Sequence, residues 1–202
     1  MNIGRRSDPP LTDAGRRLAS LTAAAIAAEL GPGLEPRVLA SPARRCMETA
    51  AAIAVALGEG DPPPIEVDPG LWEIDYGDWD GLSAGECAAR DPQLRARWEQ
   101  RPYDVRSPGG ESGGDVAARA LPVITAVEDW LAEPGTQRAA VVVSHNHVVR
   151  LRLAALLGLP PNAYRRAVRA DPGGYSLVSL RPGKLAVRRL NVVPDGLARA
   201  VR

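Results

Sequence analysis

The sequence is short of several residue types, and each shortage removes a class of explanation. Among 202 residues there is no phenylalanine, one lysine (Lys184), two cysteines (Cys46 and Cys87) and two histidines (His145 and His147). Two isolated cysteines provide neither metal-ligand spacing nor the density of a disulfide scaffold, so they read as core or surface thiols. No window approaches the roughly 18 apolar residues of a membrane span, and the N-terminus has no basic segment followed by an apolar run. A strong charge of one sign is also absent. Basic residues number 25 against 24 acidic, a net charge of +1, which argues against a dedicated nucleic-acid or membrane surface. The expectation is a soluble cytoplasmic protein, and the length suits one α/β domain over residues 1–202. The near-exclusive use of arginine as the base, with abundant Ala, Gly and Pro, reflects a GC-rich gene more than a function, although arginine is the better bidentate partner for phosphate or carboxylate.

Both histidines lie in the stretch that organises the rest, residues 139–159, AAVVVSHNHVVRLRLAALLGL. It reads as a buried strand (139–143), a turn carrying Ser144, His145, Asn146 and His147, and an apolar helix that Gly158 stops before Pro160. An unbroken Val run has no polar face, so the strand should be covered on both sides, as in a parallel sheet between helices. Ligands in such sheets collect beyond the carboxyl ends of the strands, which here means His145. Histidine can act there as base, acid or nucleophile. It can equally serve to hydrogen-bond a backbone group.

Along the chain, Thr12 caps a helix to about Leu30, residues 37–40 form a short strand, and Ser41-Pro42 starts a helix that ends at Gly58. Residues 65–67 are a second short strand. Residues 71–81, LWEIDYGDWDG, combine two tryptophans with four acids. Residues 83–100 form short helices broken near Pro92. Residues 106–114 are a glycine-rich loop, and Asp115 caps a helix that contains Pro122. Residues 175–181 and 185–192 form a hairpin turning at Pro182-Gly183, and the chain from Pro194 is a frayed tail.

Five blocks, in order, resemble the histidine phosphatase superfamily, whose fold is that of phosphoglycerate mutase. Asp8 to Thr12 with Gly15 resembles D-x-P-L-T-x-x-G. Ser41 to Thr49 resembles S-x-L-x-R-A-x-x-T, with Arg45 as the phosphate-binding arginine. Leu71 to Gly81 resembles L-x-E-x-x-x-G-x-W-E-G, with Glu73 as proton donor. Gly110-Glu111-Ser112 resembles the G-E-S loop, and Val143 to Arg150 resembles V-S-H-G-x-x-I-R, with His145 as the second active-site histidine. The resemblance implies a three-layer α/β/α fold with a mostly parallel sheet, and a site in which Arg45, His145 and Glu73 are catalytic. Arg45, His145, Asn146 and Ser112 would touch a small phosphorylated or otherwise anionic metabolite, with no metal or organic cofactor. Glu73 must be protonated to act as an acid, which Trp72 and Trp79 would favour by excluding water. His147 has no counterpart in the motif and reads as a packing or exposed residue, and Ser144 as a helix cap.

The family also begins with a strand ending in R-H-G, whose histidine forms the phosphoenzyme. That block would fall a dozen or more residues before Asp8, upstream of Met1, and neither histidine present can replace it. In the family this strand lies beside the one ending in His145, so the gap would leave buried backbone groups unpaired at about 1–3 kcal/mol each. Three explanations follow: the start lies further upstream; another segment, such as residues 1–6, the C-terminal tail or a partner chain, fills the place; or the sheet is rebuilt around a different site. The corresponding functions are a phosphomonoesterase, a pseudophosphatase that binds ligands, and an acid-base enzyme (lyase or isomerase) using His145 and Glu73. An uncovered sheet edge would also favour pairing with a second copy.

Overall fold

A computed structural model describes residues 1–58, 60–135, 137–181 and 184–194. The Pro182-Gly183 turn and the tail from residue 195 lie outside them. The elements in chain order are α1 (Asp13–Leu30), β1 (Glu35–Ala40), α2 (Arg44–Leu57), β2 (Ile65–Val67), α3 (Ala84–Arg90), α4 (Pro92–Gln100), α5 (Gly113–Ala132), β3 (Arg138–Val143), α6 (Asn146–Leu156), α7 (Tyr164–Ala167), β4 (Tyr175–Arg181) and β5 (Lys184–Val192). Short 3-10 turns at Pro69–Leu71 and Gly77–Trp79 shape the acidic stretch.

Three parallel strands form the main sheet in the order β2-β1-β3, and β4 and β5 pair as an antiparallel hairpin. Side chains alternate across the sheet as the period of two requires. Val38, Ala40 and Val143 pack under α1 and α2, against Ile26, Ala50 and Ile53. Leu39 belongs to the opposite layer, with Val116, Ala120 and Ile124 of α5 and Val148 and Leu151 of α6. The result is the expected α/β/α sandwich. Helix α1 follows from its sequence: Thr12 Oγ1 accepts from Gly15 N at 3.0 Å, Ala19, Thr22, Ala23 and Ile26 make the buried stripe, and Gly31 ends it at φ +74°.

Three helix starts differ from the sequence reading. Ser41 does not cap α2; the helix begins after Ala43 with no side-chain cap, the Ser41 hydroxyl meeting His145 Nε2 and accepting from Ala43 N while Asp8 takes the Arg44 N–H. Ser112, not Asp115, is the N-cap of α5, with Asp115 closing a capping box three residues on. Ser144 does not cap α6, since its hydroxyl donates to Leu71 O at 2.9 Å.

Strand β3 pairs with β1 residue for residue, from Glu35↔Arg138 to Ala40↔Val143. Gln137 O and Val143 O accept from Glu35 N and Ser41 N on that side. Backbone groups alternate along a strand, so those of Ala140 and Val142 point to the other edge. That edge borders a cavity of about 630 Å³ whose far wall is β4, with Leu18 and Ile26 of α1 on one face and Ile124 and Leu153 on the other. The Val run is therefore not fully covered: Ala140, Val141 and Val142 are half-buried, because helices shield the faces of the strand and not this edge. Residues 1–6 do not fill the place. Asn2 exchanges backbone hydrogen bonds with Gly81 and Leu82, Arg5 N donates to Ile74 O, and only Ile3 reaches the cavity wall.

Candidate active site

Two turns of backbone bring the anion-binding candidates together. Arg45 occupies the first turn of α2, just past the end of β1, and His145 stands between the end of β3 and the start of α6. Because β1 and β3 are adjacent and parallel, both side chains emerge at the same end of the sheet. Arg45 Nη2 lies 3.2 Å from His145 Nδ1, and His145 Nε2 lies 2.8 Å from Ser41 Oγ. A guanidinium only donates, so Nδ1 accepts and the ring carries its proton on Nε2. Arg45 Nη1 donates to Ser7 O at 3.3 Å and Asp8 sits 3.8 Å away, so the N-terminal loop closes over the guanidinium. Trp72 lies parallel to the His145 ring, 6.4 Å between centroids.

Glu73 enters from the acidic stretch and lines the same cavity as Arg45 and His145. Its position is set by a tightly packed frame. Gly77 has φ +57°, and a Cβ there would stand 1.9 Å from Pro108 O, so the acidic stretch lies directly against the glycine-rich loop. Arg119 of α5 then clamps the backbone: its Nη1 donates to Gly70 O and Trp72 O at 2.8 and 2.7 Å, and its Nη2 to Glu73 O at 3.1 Å. Glu73 Oε1 accepts from Ile74 N at 2.9 Å and His147 N at 3.3 Å, and lies 3.2 Å from His147 Nδ1.

That arrangement reverses the expectation of a protonated acid. Burial is the largest single influence on Glu73 and pushes its pKa up, but the charge and hydrogen bond of His147, the charge of His145 and the Ile74 N–H together bring it down to about 2. Glu73 is a carboxylate at rest. His147 is correspondingly neither bare packing nor exposed: it is 3% exposed and is the partner of Glu73.

The remaining candidates separate. Asn146 is exposed at the first position of α6 and lines the cavity. Ser112 is not among the residues lining it, and its hydroxyl is committed to Asp115. Cys46 Sγ lies 3.6 Å from His145 Nε2, and burial raises its pKa to about 12, so it remains a thiol. Among the described residues no group of three or more His, Cys, Asp or Glu is placed to hold a metal, and no helix is long and apolar enough to cross a membrane.

The model of branch 1 of the histidine phosphatase superfamily matches residues 1–193. The chain belongs to that superfamily. A glucosyl-3-phosphoglycerate phosphatase of Mycolicibacterium vanbaalenii is 39% identical over 159 residues, 76% of this chain and 65% of that protein. A 2,3-bisphosphoglycerate-dependent phosphoglycerate mutase of Methylobacterium radiotolerans is 42% identical over 98 residues, 48% of this chain and 44% of the other. The chain thus spans less than two thirds of the length of either. Among solved structures, a mycobacterial glucosyl-3-phosphoglycerate phosphatase in complex with inorganic phosphate superposes with a TM-score of 0.77 at 26% identity, covering 96% of this chain and 92% of that one. A putative alpha-ribazole-5'-P phosphatase from Escherichia coli shares the fold at a TM-score of 0.77 and 24% identity, over 97% and 90% of the two chains.

Burial of the site predicts acid lability. Burial, and secondarily the charges of Arg45 and Arg119, outweigh Glu73 and lower the His145 pKa from 6.5 to about 4. The unfolded chain then binds a proton below pH 6.5 that the folded chain refuses until about pH 4, so stability falls as pH drops through that window, by up to about 3 kcal/mol. Glu73, depressed to about 2, adds a further loss below about pH 4.5. Thermal unfolding between pH 7 and 4 should show a falling melting temperature, and His145→Gln should flatten it.

Proposed function

We propose that the cavity lined by Arg45, Glu73 and His145 is a phosphomonoesterase site, which hydrolyses small phosphomonoesters when a nucleophile-bearing strand lies beside β3. The observation that carries the reading is the contact between Arg45 and His145, two groups a hundred residues apart, at a hollow that Glu73 also lines. Phosphoryl transfer spreads negative charge over the equatorial oxygens, and a fixed guanidinium beside an imidazole ring and the start of a helix supplies what that charge needs. Glu73 lines the same hollow and, as a carboxylate at rest, serves as the acid for the leaving oxygen only once it has taken up a proton. The phosphatase names among the relatives support a small phosphorylated metabolite as substrate and hydrolysis over transfer between two sites of one substrate.

Both histidines are already engaged, His145 with Arg45 and Ser41 and His147 with Glu73. The nucleophile in this reading arrives on a strand laid along the edge of β3 that no other strand pairs with among the described residues, where Ala140 and Val142 present backbone donors and acceptors. A strand parallel to β3 ends beside His145. The same engagement of both histidines favours a second reading, a pseudophosphatase that binds phosphorylated ligands without turning them over.

The discriminating experiment compares the 202-residue chain with the same chain carrying a fused apolar strand that ends in Arg-His-Gly. An aryl phosphate is the substrate, and titration with inorganic phosphate follows binding in both. Turnover and an acid-labile phosphohistidine only in the fused form support the hydrolase. Phosphate binding by both forms without turnover supports the pseudophosphatase. Loss of neither binding nor turnover on His145→Ala in the fused form would remove the site from this cavity.

A further inference from the structure

Ser41 stands where a serine would ordinarily cap the helix that follows, yet its hydroxyl is turned to His145. The residue is fully buried, and its backbone is fixed to the strand that leads to the imidazole: Ser41 N donates to Val143 O at 2.9 Å. Ser41 Oγ lies 2.8 Å from His145 Nε2 and accepts from Ala43 N at 3.4 Å. On the other side of the ring Nδ1 meets Arg45 Nη2 at 3.2 Å, and a guanidinium has no lone pair to offer. Nδ1 therefore accepts, and Nε2 carries the ring proton and donates to Ser41. Trp72, parallel to the ring, and Cys46 Sγ, 3.6 and 3.8 Å from the two nitrogens, pack against it but supply no comparable acceptor.

We propose that Ser41 is a positioning residue of this site: by accepting the Nε2–H of His145 it turns a bare Nδ1 to Arg45 and to the anion held there. The identity of that anion rests on the phosphomonoesterase reading; the role of Ser41 does not. A bare nitrogen cannot face a phosphoryl oxygen, lone pair against lone pair, so one proton has to lie between them. A monoanionic phosphate brings it on its own P–OH. A dianion takes it from solvent: the proton adds to Nδ1, and the imidazolium donates Nδ1–H to a phosphoryl oxygen while Nε2–H still donates to Ser41. The proton returns to solvent when the anion leaves. The ring need not turn, because Ser41 accepts in both states.

The groups facing the ring set the sign of this coupling. Burial opposes a proton on His145 most strongly, Arg45 from α2 and Arg119 from α5 oppose it too, and Glu73 from the acidic stretch and Asp8 from the N-terminal loop favour it. Cys46 stays a neutral thiol, and Asn146, next along α6, does not titrate. The ring is therefore neutral at pH 7 until an anion arrives. Two negative charges beside Arg45 reverse the balance, so the dianion and the Nδ1 proton bind together.

The test uses the 202-residue chain and needs no turnover. Nitrogen-15 NMR of the His145 ring at pH 7 without phosphate should show Nε2 protonated and Nδ1 bare; the opposite tautomer overturns the proposal with no variant needed. Ser41→Cys keeps most of the volume and offers only a weak acceptor, so the Nδ1–H tautomer should become measurably populated and inorganic phosphate should bind at least fivefold more weakly. A tautomer that Ser41→Cys leaves in place overturns the proposal whatever happens to affinity, because packing alone does not fix where the proton sits. Calorimetric titration with inorganic phosphate at pH 8, where the ligand is mostly dianionic, in buffers of different ionisation enthalpy should report uptake of about one proton per phosphate bound. Binding without uptake means that the anion does not meet Nδ1 and overturns the proposal as well. A chain that binds no phosphate sinks the phosphomonoesterase reading, and the tautomer in the unaltered chain and in Ser41→Cys still decides the role of Ser41.

Discussion

Replacing Arg45 with methionine should weaken inorganic phosphate binding at least tenfold and lower phosphomonoester turnover in the completed site by roughly 10²–10³, the scale seen when one preorganised donor to a transition-state oxygen is removed. Methionine keeps much of the aliphatic stem and removes the fork, so packing against the first turn of α2 is largely retained. The guanidinium is about a fifth exposed and its other contacts are Ser7 O and Asp8, both near solvent, which keeps the cost to stability small. A second readout has a definite sign. Arg45 is one of the charges that hold the His145 pKa down, so in Arg45→Met the His145 titration should move up from about 4 toward 6.5. Binding that is lost without movement of His145 would mean that Arg45 acts through the fold and not beside the imidazole. Calorimetric titration with phosphate and histidine NMR separate the two.

The convergence of Arg45, Glu73 and His145 was legible because each stands in a block whose local structure the sequence also specifies. Arg45 follows a strand and opens a helix, and His145 does the same one strand over, so parallel pairing alone puts them together. The protonation of Glu73 was not legible. Trp72 and Trp79 signal exclusion of water, which raises a carboxyl pKa, whereas the opposing imidazole comes from 74 residues away. A signal for it existed: His147, Leu151 and Ala154 fall at i, i+4 and i+7 of α6, on its buried face, and a titratable ring on a buried face needs a partner. Arg119 was missed for the same reason. It lies three residues after Val116 and one before Ala120, both fully buried in α5, so its guanidinium had to find acceptors inside. The helix starts at Ser41 and Ser144 failed in the opposite direction, since each has good capping chemistry that a distant partner, His145 or Leu71 O, claims first.

Arg119 carries the second large effect. Its Nε and Nη2 donate to the two oxygens of Glu111 at 2.9 and 2.8 Å, and its remaining N–H groups hold the carbonyls of Gly70, Trp72 and Glu73. Both members of the ion pair are about four-fifths buried. Arg119→Met strands a carboxylate and three carbonyls together, and should destabilise the chain by about 3–5 kcal/mol, the range for breaking a buried pair from one side. Urea unfolding measures this as a drop in midpoint. Arg119→Lys should recover only part of it, because an ammonium cannot span two carboxylate oxygens and three carbonyls at once. If the stranded charge is the larger share, the double variant Arg119→Met with Glu111→Gln should be more stable than Arg119→Met alone, and the amide can still accept from Asp75 N as Glu111 Oε2 does. If the orphaned carbonyls are the larger share, the double variant should unfold no later than the single one. In either case the backbone under Glu73 loosens, so phosphate binding at Arg45 and His145 should survive in the folded fraction while the His147–Glu73 contact is lost. That contrast separates the frame that aims the acid from the groups that hold the anion.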